Sequence, residues 1–113
     1  MVKFSIFLAK RSDMSHEDFV HHHKNNHAHL FTSLPEVQQY VRKYIQCHTL
    51  PVSLPGLPQL TYDGITELWF DDAESVEKVF TSDRYMQLIR PDEEKFLDLE
   101  KCSFLITAEN HVM

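Results

Sequence analysis

Two histidines at helical spacing are the first residues in this sequence that can carry chemistry. His23 and His27 lie four positions apart, and this spacing puts both side chains on one face of a helix. An imidazole titrates near neutral pH, so His27 can take up and return a proton as a general base and acid. The alternative is a core histidine that is hydrogen bonded to a neighbour.

The same pair has the spacing of two zinc ligands on a helix. A third ligand would have to come from a distant part of the chain, where Glu67 and His48 are the candidates. Zinc hydrolases with this spacing carry a glutamate directly after the first histidine, and here that position is Lys24. We therefore expect a site without a native metal.

An acid in the middle of a predicted strand is the next candidate. Glu67 shares a face with Ile65 and Trp69, because side chains on a strand alternate with a period of two. A carboxylate in this setting is costly unless it is paired. Glu67 can orient a catalytic histidine or form a structural bridge to an arginine such as Arg42.

Aromatic residues supply the remaining candidates. A tyrosine can offer its phenol to a developing oxyanion, or it can simply fill the core, and Tyr40, Tyr44 and Tyr62 are open to both interpretations. Trp69 can line an aromatic substrate as well as pack in the core. The predicted catalytic residues are His27, Glu67 and Tyr40, and the predicted substrate-binding residues are His23, Trp69 and Phe31.

Hydrophobic periodicity predicts the elements that must position these side chains. Strands are expected at residues 2–9, 37–45, 65–70 and 103–108, and helices at 15–32, 72–82, 84–89 and 92–96. Ser15 and Asp71 or Asp72 are the expected N-caps. Asp92 and Glu93 are expected to cap a short helix in solvent. Residues 51–58, with three prolines and a glycine, are expected to form a loop.

The element order β-α-β-β-α-β is typical of an α+β ferredoxin-like protomer, with helices on one face of an antiparallel sheet. The first strand, residues 2–9, is apolar on both faces, although the helices can cover only one. The uncovered face needs an apolar partner, and a second copy of the chain supplies it most simply. We therefore expect a homodimer.

Length and composition limit the other possibilities. The chain has 113 residues, which suits one domain over residues 1–113. A net charge of −6 argues against nucleic acid as a partner. The N-terminus lacks the pattern of an export signal, and its apolar run is too short to cross a membrane. The two cysteines form no metal motif and are expected to stay reduced, so we expect a cytoplasmic protein.

Several short motifs, in this order along the chain, resemble the EthD family. They are the stretch 19–30 ending in His27-Ala28-His29-Leu30, then Leu34-Pro35 with Tyr40, Asp63-Gly64-Ile65 with Glu67, Trp69 and Phe70, Asp92-Glu93 with Phe96, and Cys102-Ser103-Phe104 with Glu109. The resemblance implies a dimeric α+β barrel without an obligatory cofactor. Relatives of this fold include methylmuconolactone isomerases and polyketide cyclases and dehydratases, which use a histidine in a cleft between helices and sheet. His27 stands at the position of that histidine, while His23 stands where the family usually has an aromatic residue.

The expected function is a cofactor-independent enzyme that isomerises, cyclises or dehydrates an aromatic, polyketide-like or lactone substrate. His27 would act as base and acid, and Glu67 or a tyrosine would hold the histidine or stabilise a negative oxygen. A non-catalytic accessory or carrier protein for an oxygenase remains open, and so does a haem or metal protein that uses His23 and His27.

Overall fold

The computed structural model describes all residues from Met1 to Met113 and contains one four-stranded antiparallel sheet. The strands are β1 (Val2–Leu8), β2 (Val41–His48), β3 (Gly64–Phe70) and β4 (Ser103–Ala108), arranged in the spatial order β2-β3-β1-β4. All neighbouring pairs are antiparallel, and the helices lie on one face. This is the ferredoxin-like α+β fold that the element order predicts.

The first helix, α1, covers residues 16–32 without a break but changes its winding in the middle. Its segments His16–His21 and Ala28–Thr32 are α-helical, whereas His22–His27 is π-helical. Ser15 caps the helix as predicted, since its hydroxyl accepts a hydrogen bond of 3.1 Å from the amide of Asp18. A π-helical turn adds a residue to the helix and is often found at functional sites.

The predicted strand at residues 37–45 is wrong at its start. Residues Pro35–Tyr40 form a short helix, α2, and β2 begins only at Val41. The ring of Pro35 fixes φ at a helical value and occupies the first turn, where its missing amide hydrogen costs nothing. The proline that ends α1 therefore also starts α2, and buried Val37 belongs to a helical stripe.

The second half of the chain contains two more helices. Helix α3 (Ala73–Phe80) is capped by Asp72, whose carboxylate accepts a 2.8 Å hydrogen bond from the amide of Ser75. Helix α4 covers residues 85–96 and combines a π-helical segment, Tyr85–Ile89, with an α-helical segment, Arg90–Phe96. Two separate helices were expected here. The prediction was wrong because Pro91 lies in the first turn of the second segment, where its missing donor is tolerated.

The core lies between the helices and the covered face of the sheet. Phe19, Leu34, Leu68, Phe70 and Phe96 are among the side chains with almost no exposed surface. The long connection between β2 and β3 has no regular structure, as its composition predicts, and exposes several aliphatic side chains. None of the helices is long and apolar enough to cross a membrane.

The opposite face of the sheet carries no helix. Phe7, Ile45, Ile65 and Leu105 project from this open face, because they alternate with residues of the covered face. Trp69 projects from it as well and is only 9% exposed.

Candidate active site

A cavity of about 240 Å³ lies between the covered face of the sheet and helices α1, α3 and α4. Hydrophobic side chains make up 13 of the 19 residues that line it. Most of the polar groups come from the helices: two histidines from α1, and Tyr85, Arg90 and Glu93 from α4. The sheet adds Thr66, Tyr44 and Ser103. An apolar chamber with a few convergent polar groups is the usual form of a small-molecule site.

His27 lies on the wall of this cavity and is held by a carboxylate. Its Nδ1 atom is 2.9 Å from Oδ2 of Asp92, and both residues are buried. Its ring stacks on Phe31, which also lines the cavity. The Nε2 atom of His27 makes no hydrogen bond within the chain, yet it is not among the fully buried unpaired atoms. One nitrogen is thus fixed while the other is available to a ligand, as a proton-transferring histidine requires.

Asp92 holds a second histidine at the same time. Its Oδ1 atom is 2.9 Å from Nε2 of His22, whose ring stacks on Phe96 at 4.5 Å. His22 and His27 are five positions apart, which in an α-helix would leave them about 140° apart around the axis. The π-helical winding closes its hydrogen bonds over five residues, so both rings reach one carboxylate.

Helix α4 has the same arrangement of two side chains that reach one carboxylate across a π-helical segment. Tyr85 and Arg90 are also five positions apart across a π-helical segment, and both reach Glu93. The Tyr85 hydroxyl donates a hydrogen bond of 2.5 Å to Oε2, and Arg90 Nε is 3.0 Å from Oε1. Burial raises the pKa of Glu93 above its ordinary value of 4.5, although Tyr85 and Arg90 act against the shift. Burial and Glu93 together raise the pKa of Tyr85, so the phenol stays protonated.

His23 on α1 packs against the covered face of the sheet and is 1% exposed. Its Nδ1 atom is 3.0 Å from Nε2 of His48, and its Nε2 atom is 3.1 Å from the hydroxyl of Thr66. Burial is the main cause that lowers the pKa of His23 to about 3, and the neighbouring histidines His27, His48 and His22 add to it. The ring is therefore neutral at physiological pH.

Tyr44 is the one of the three interpreted tyrosines that lines the cavity. Its hydroxyl accepts a hydrogen bond of 2.8 Å from the side-chain amide of Gln46, and burial raises the pKa of Tyr44 to about 12. Tyr62 instead lies outside the cavity and bonds Ser103.

Three of the residues predicted from sequence line the cavity, and three do not. His27, His23 and Phe31 line it, whereas Glu67, Trp69 and Tyr40 lie elsewhere. Glu67 and Trp69 project from the open face, so the thickness of the sheet separates them from His27. Tyr40 packs at the edge of the core with the ammonium of Lys78 over its ring.

The partner of Glu67 also differs from both alternatives that the sequence left open. Its carboxylate forms an ion pair of 2.6 Å with Lys3 on the neighbouring strand, rather than meeting a histidine or Arg42. Lys3 lowers the pKa of Glu67, and Arg42 pairs with Asp71 instead. Trp69 donates its indole N–H to Glu109 over 2.8 Å.

The expectation that Asp92 and Glu93 cap a helix in solvent is wrong. Only 7% of Asp92 and 8% of Glu93 is exposed, and both carboxylates point into the polar part of the site. A sequence signal was present: with Ile89 and Phe96 the two acids fall at spacings of three and four, on the buried stripe of an amphipathic helix. Acids at core positions of such a stripe indicate a buried partner.

No group of three or more histidine, cysteine, aspartate or glutamate side chains has an arrangement that could hold a metal ion. Both ring nitrogens of His23 are engaged by His48 and Thr66. Cys102 lines the cavity, and burial raises the pKa of its thiol, which favours the unreactive protonated form.

The EthD domain profile matches residues 11–100, which is most of the chain and includes the site residues of α1, β2, β3 and α4. The chain belongs to the EthD family. This EthD chain is also similar to dehydratase aurZ of Gibberella zeae, with 25% identity over 115 residues that cover 94% of the chain and 75% of the relative.

Solved structures show the same fold at low sequence identity. An EthD family protein from Bacillus halodurans has a TM-score of 0.69 at 23% identity, and the match covers 97% of this chain and 99% of that one. HapK from Hahella chejuensis has a TM-score of 0.67 at 9% identity, covering 97% and 93%. A dimeric protein of unknown function from Bacteroides fragilis has a TM-score of 0.66 at 15% identity, covering 96% and 95%.

Proposed function

We propose that the protein is a cofactor-independent enzyme that moves protons on a small aromatic or polyketide-like carbonyl compound, leading to dehydration, isomerisation or cyclisation. The observation that carries the proposal is the His27–Asp92 pair, with one ring nitrogen fixed at 2.9 Å and the other available in an apolar cavity. Similarity to dehydratase aurZ supports this reaction class. Asp92 takes the orienting role that the sequence had suggested for Glu67.

In a dehydration, His27 Nε2 removes a proton from the carbon next to the carbonyl group. The electron pair of the broken C–H bond moves towards the carbonyl oxygen, and Asp92 stabilises the imidazolium that forms. The enolate then expels a hydroxyl group from the β-carbon, and His27 returns its proton to that group to release water. Returning the proton to another carbon gives isomerisation instead. A positioned acid–base group contributes about 10²–10⁴-fold to the rate.

The cavity limits the size and character of the substrate. A volume of about 240 Å³ lies below the range of roughly 300–1,000 Å³ that is typical of drug-sized ligands, which favours a molecule of one or two fused rings. Phe31 and Phe96 offer flat faces to such rings. Arg90 and Tyr85 lie on the wall near Glu93, where they can bind an oxygen substituent.

Deuterium exchange into 1-tetralone, a two-ring aryl ketone, tests the proposed base without the natural substrate. The protein should accelerate exchange of the protons next to the carbonyl in D₂O, measured by NMR, and His27→Gln should lose about 100-fold or more of this rate. His29→Gln is a matched control, because His29 lies on the same helix but is exposed. Exchange that survives in His27→Gln would refute the assignment. Tight binding of the ketone by the wild-type protein without any exchange would favour the carrier alternative.

We propose further that two copies of the chain associate through the open faces of their sheets. Ile45 and Leu105 are 37% and 55% exposed on this face, and the Bacteroides fragilis relative is described as dimeric. Sedimentation equilibrium should give twice the chain mass, and Leu105→Glu should give a monomer, whereas Leu88→Glu on helix α4 should not. A wild-type protein that remains monomeric at micromolar concentration would exclude this interface.

We also propose that the protein works in the cytoplasm. Cys47 and Cys102 are both unpaired, and free thiols are typical of a reducing compartment. Fractionation of the producing cells tests the location.

The net charge of −6 makes nucleic acid an unsuitable partner.

A further inference from the structure

A row of three hydrogen-bonded side chains leads from the cavity to the surface at the end of β2. Thr66 lines the cavity and its hydroxyl is 3.1 Å from Nε2 of His23. The other nitrogen of that ring, Nδ1, is 3.0 Å from Nε2 of His48. The three residues come from β3, α1 and β2, so this row of side chains crosses the layer between sheet and helix.

The outer end of this row of side chains reaches solvent. His48 is half-buried at the last position of β2, and its Nδ1 atom makes no hydrogen bond to any other residue of the protein. That atom is also absent from the fully buried unpaired atoms, so it retains accessible surface. Burial lowers the pKa of His48, and Lys24 and His16 on α1 add to the shift. These causes favour a neutral His48 ring, which can accept and release a proton in turn.

The hydrogen bonds between Thr66, His23 and His48 must all run in one direction. A neutral imidazole has one N–H donor and one acceptor nitrogen, and both nitrogens of His23 are engaged. If Thr66 donates to Nε2, then Nδ1–H of His23 donates to His48, and the reverse arrangement is equally complete. A set of bonds that can be reversed as a whole is the arrangement through which protons hop.

We propose that Thr66, His23 and His48 form a proton relay between the cavity and bulk solvent. In the outward direction Thr66 Oγ accepts a proton from the ligand and releases its own proton to His23 Nε2. His23 releases its Nδ1 proton to His48 Nε2, and His48 releases its Nδ1 proton to water. Each group gains and loses one proton and ends neutral, with the hydrogen bonds reversed.

The catalytic use of the relay rests on the proposed function. While His27 removes a proton from carbon, the carbonyl oxygen becomes strongly basic and needs a donor. The Thr66 hydroxyl can supply that proton from solvent through the two rings, and it can return it when the carbonyl group is restored. His27 would then transfer protons at the carbon atom, and the relay would transfer protons at the carbonyl oxygen.

Proton exchange at the ring of His23 tests the relay without any substrate. In ¹⁵N-histidine-labelled protein, the His23 ring N–H should exchange rapidly with water, and His48→Gln should slow this exchange about tenfold or more. Glutamine can keep a hydrogen bond to Nδ1 but cannot pass a proton from one atom to another. His29→Gln, which alters an exposed histidine that is not part of the relay, should leave the rate unchanged.

Two further variants separate a relay from a structural role. His48→Ala should slow the exchange, and added imidazole should restore it by replacing the missing ring. Thr66→Val removes only the cavity end, so exchange through His48 should continue. Equal exchange rates in the wild-type and His48 variants, or a failure of imidazole to restore exchange in a folded His48→Ala protein, would overturn the relay. Loss of ketone exchange in His27→Gln with rapid His23 exchange retained would leave the relay and the proposed base independently supported.

Discussion

Asp92 and Glu93 are neighbours in sequence and equally buried, but their surroundings give them different chemistry. Asp92 receives two histidines from the π-helical segment of α1, which is about 70 residues earlier in the chain. Glu93 bonds a tyrosine from the π-helical segment of its own helix and an arginine that directly follows that segment. The first carboxylate therefore holds two imidazoles, and the second holds a phenol and a guanidinium that stay protonated.

The comparison shows that burial alone does not assign a role to a carboxylate. What decides it is the chemistry of the partner and the element from which the partner comes. Under the proposed function the Asp92 side exchanges protons with a ligand through His27, whereas the Glu93 side presents a guanidinium that donates hydrogen bonds and a phenol whose hydrogen is already donated to Glu93. Proton transfer and oxygen binding would thus be divided between two adjacent residues.

The largest expected effect is the loss of proton transfer in Asp92→Asn. An amide can donate to Nδ1 of His27, which would place the proton on Nε2 and remove the free lone pair of the base. The rate of deuterium exchange into 1-tetralone should fall about 10²–10⁴-fold, whereas Glu93→Gln should act mainly on binding of the ketone. The matched control is Glu94→Gln, because Glu94 is exposed on the same helix. Equal losses of rate in Asp92→Asn and Glu93→Gln would remove the distinction between the two sides.

The next effect concerns stability. Asp92→Ala removes one buried and one partly buried hydrogen bond to a carboxylate, and we expect the free energy of unfolding to fall by about 2–4 kcal/mol. Asp71→Ala breaks the exposed pair with Arg42 and should cost at most about 1 kcal/mol. Urea denaturation of the three proteins measures both differences. If the two variants lost the same stability, Asp92 could not be a structural link between α1 and α4.

A third prediction concerns His23, which packs beside Phe96 on the Asp92 side. The unfolded chain binds a proton at this ring below its ordinary pKa of 6.5, but the folded protein binds it only near a pKa of about 3. Stability should therefore decrease as the pH falls from 6.5 towards 3, by about 1.4 kcal/mol per pH unit at most. In His23→Gln this decrease of stability with falling pH should be absent. If the free energy of unfolding had the same pH dependence in both proteins, the assignment of a buried neutral ring would be wrong.

The smallest expected effect has the opposite sign and belongs to Glu93. Because burial raises its pKa, the folded protein keeps a proton that the unfolded chain releases near pH 4.5. Stability should therefore decrease as the pH rises above 4.5 through the folded pKa, and Glu93→Gln should be free of this decrease. The shift is moderated by Tyr85, Arg90 and His27, which all favour the ionised form. Thermal denaturation at a series of pH values compares the two proteins, and a widening advantage of the wild type above pH 4.5 would contradict the prediction.

Most of the fold could be predicted from the sequence, because caps and periodicity are local signals. Ser15 and Asp72, one of two candidate caps, mark the helix starts, and the apolar runs of β1 and β4 place these strands to within one residue. The start of β2 was missed because Pro35 is compatible with the end of one helix and the beginning of the next. Neither π-helical segment was predicted, since hydrophobic periodicity does not show where the winding of a helix changes.

The site was predicted only in part, for a physical reason. Alternation groups Glu67 with Trp69 but does not say which face of the sheet the helices cover. His27 could be proposed from its type and spacing, whereas its partner Asp92 is 65 positions away, and no local pattern joins them. The signal that was available, two acids on the buried stripe of α4, indicates that partners exist without naming them.

The π-helical segment His22–His27 has a consequence for changes in chain length. Ordinary winding closes its hydrogen bonds over four residues and π-helical winding over five, so the segment fits one extra residue into about the same rotation. A deletion of one residue there would restore ordinary winding and leave Phe19, on the N-terminal side, facing the core. Loss of one of the exposed residues Lys24, Asn25 or Asn26 should therefore be tolerated better than the loss of a residue from an α-helical part of the same helix.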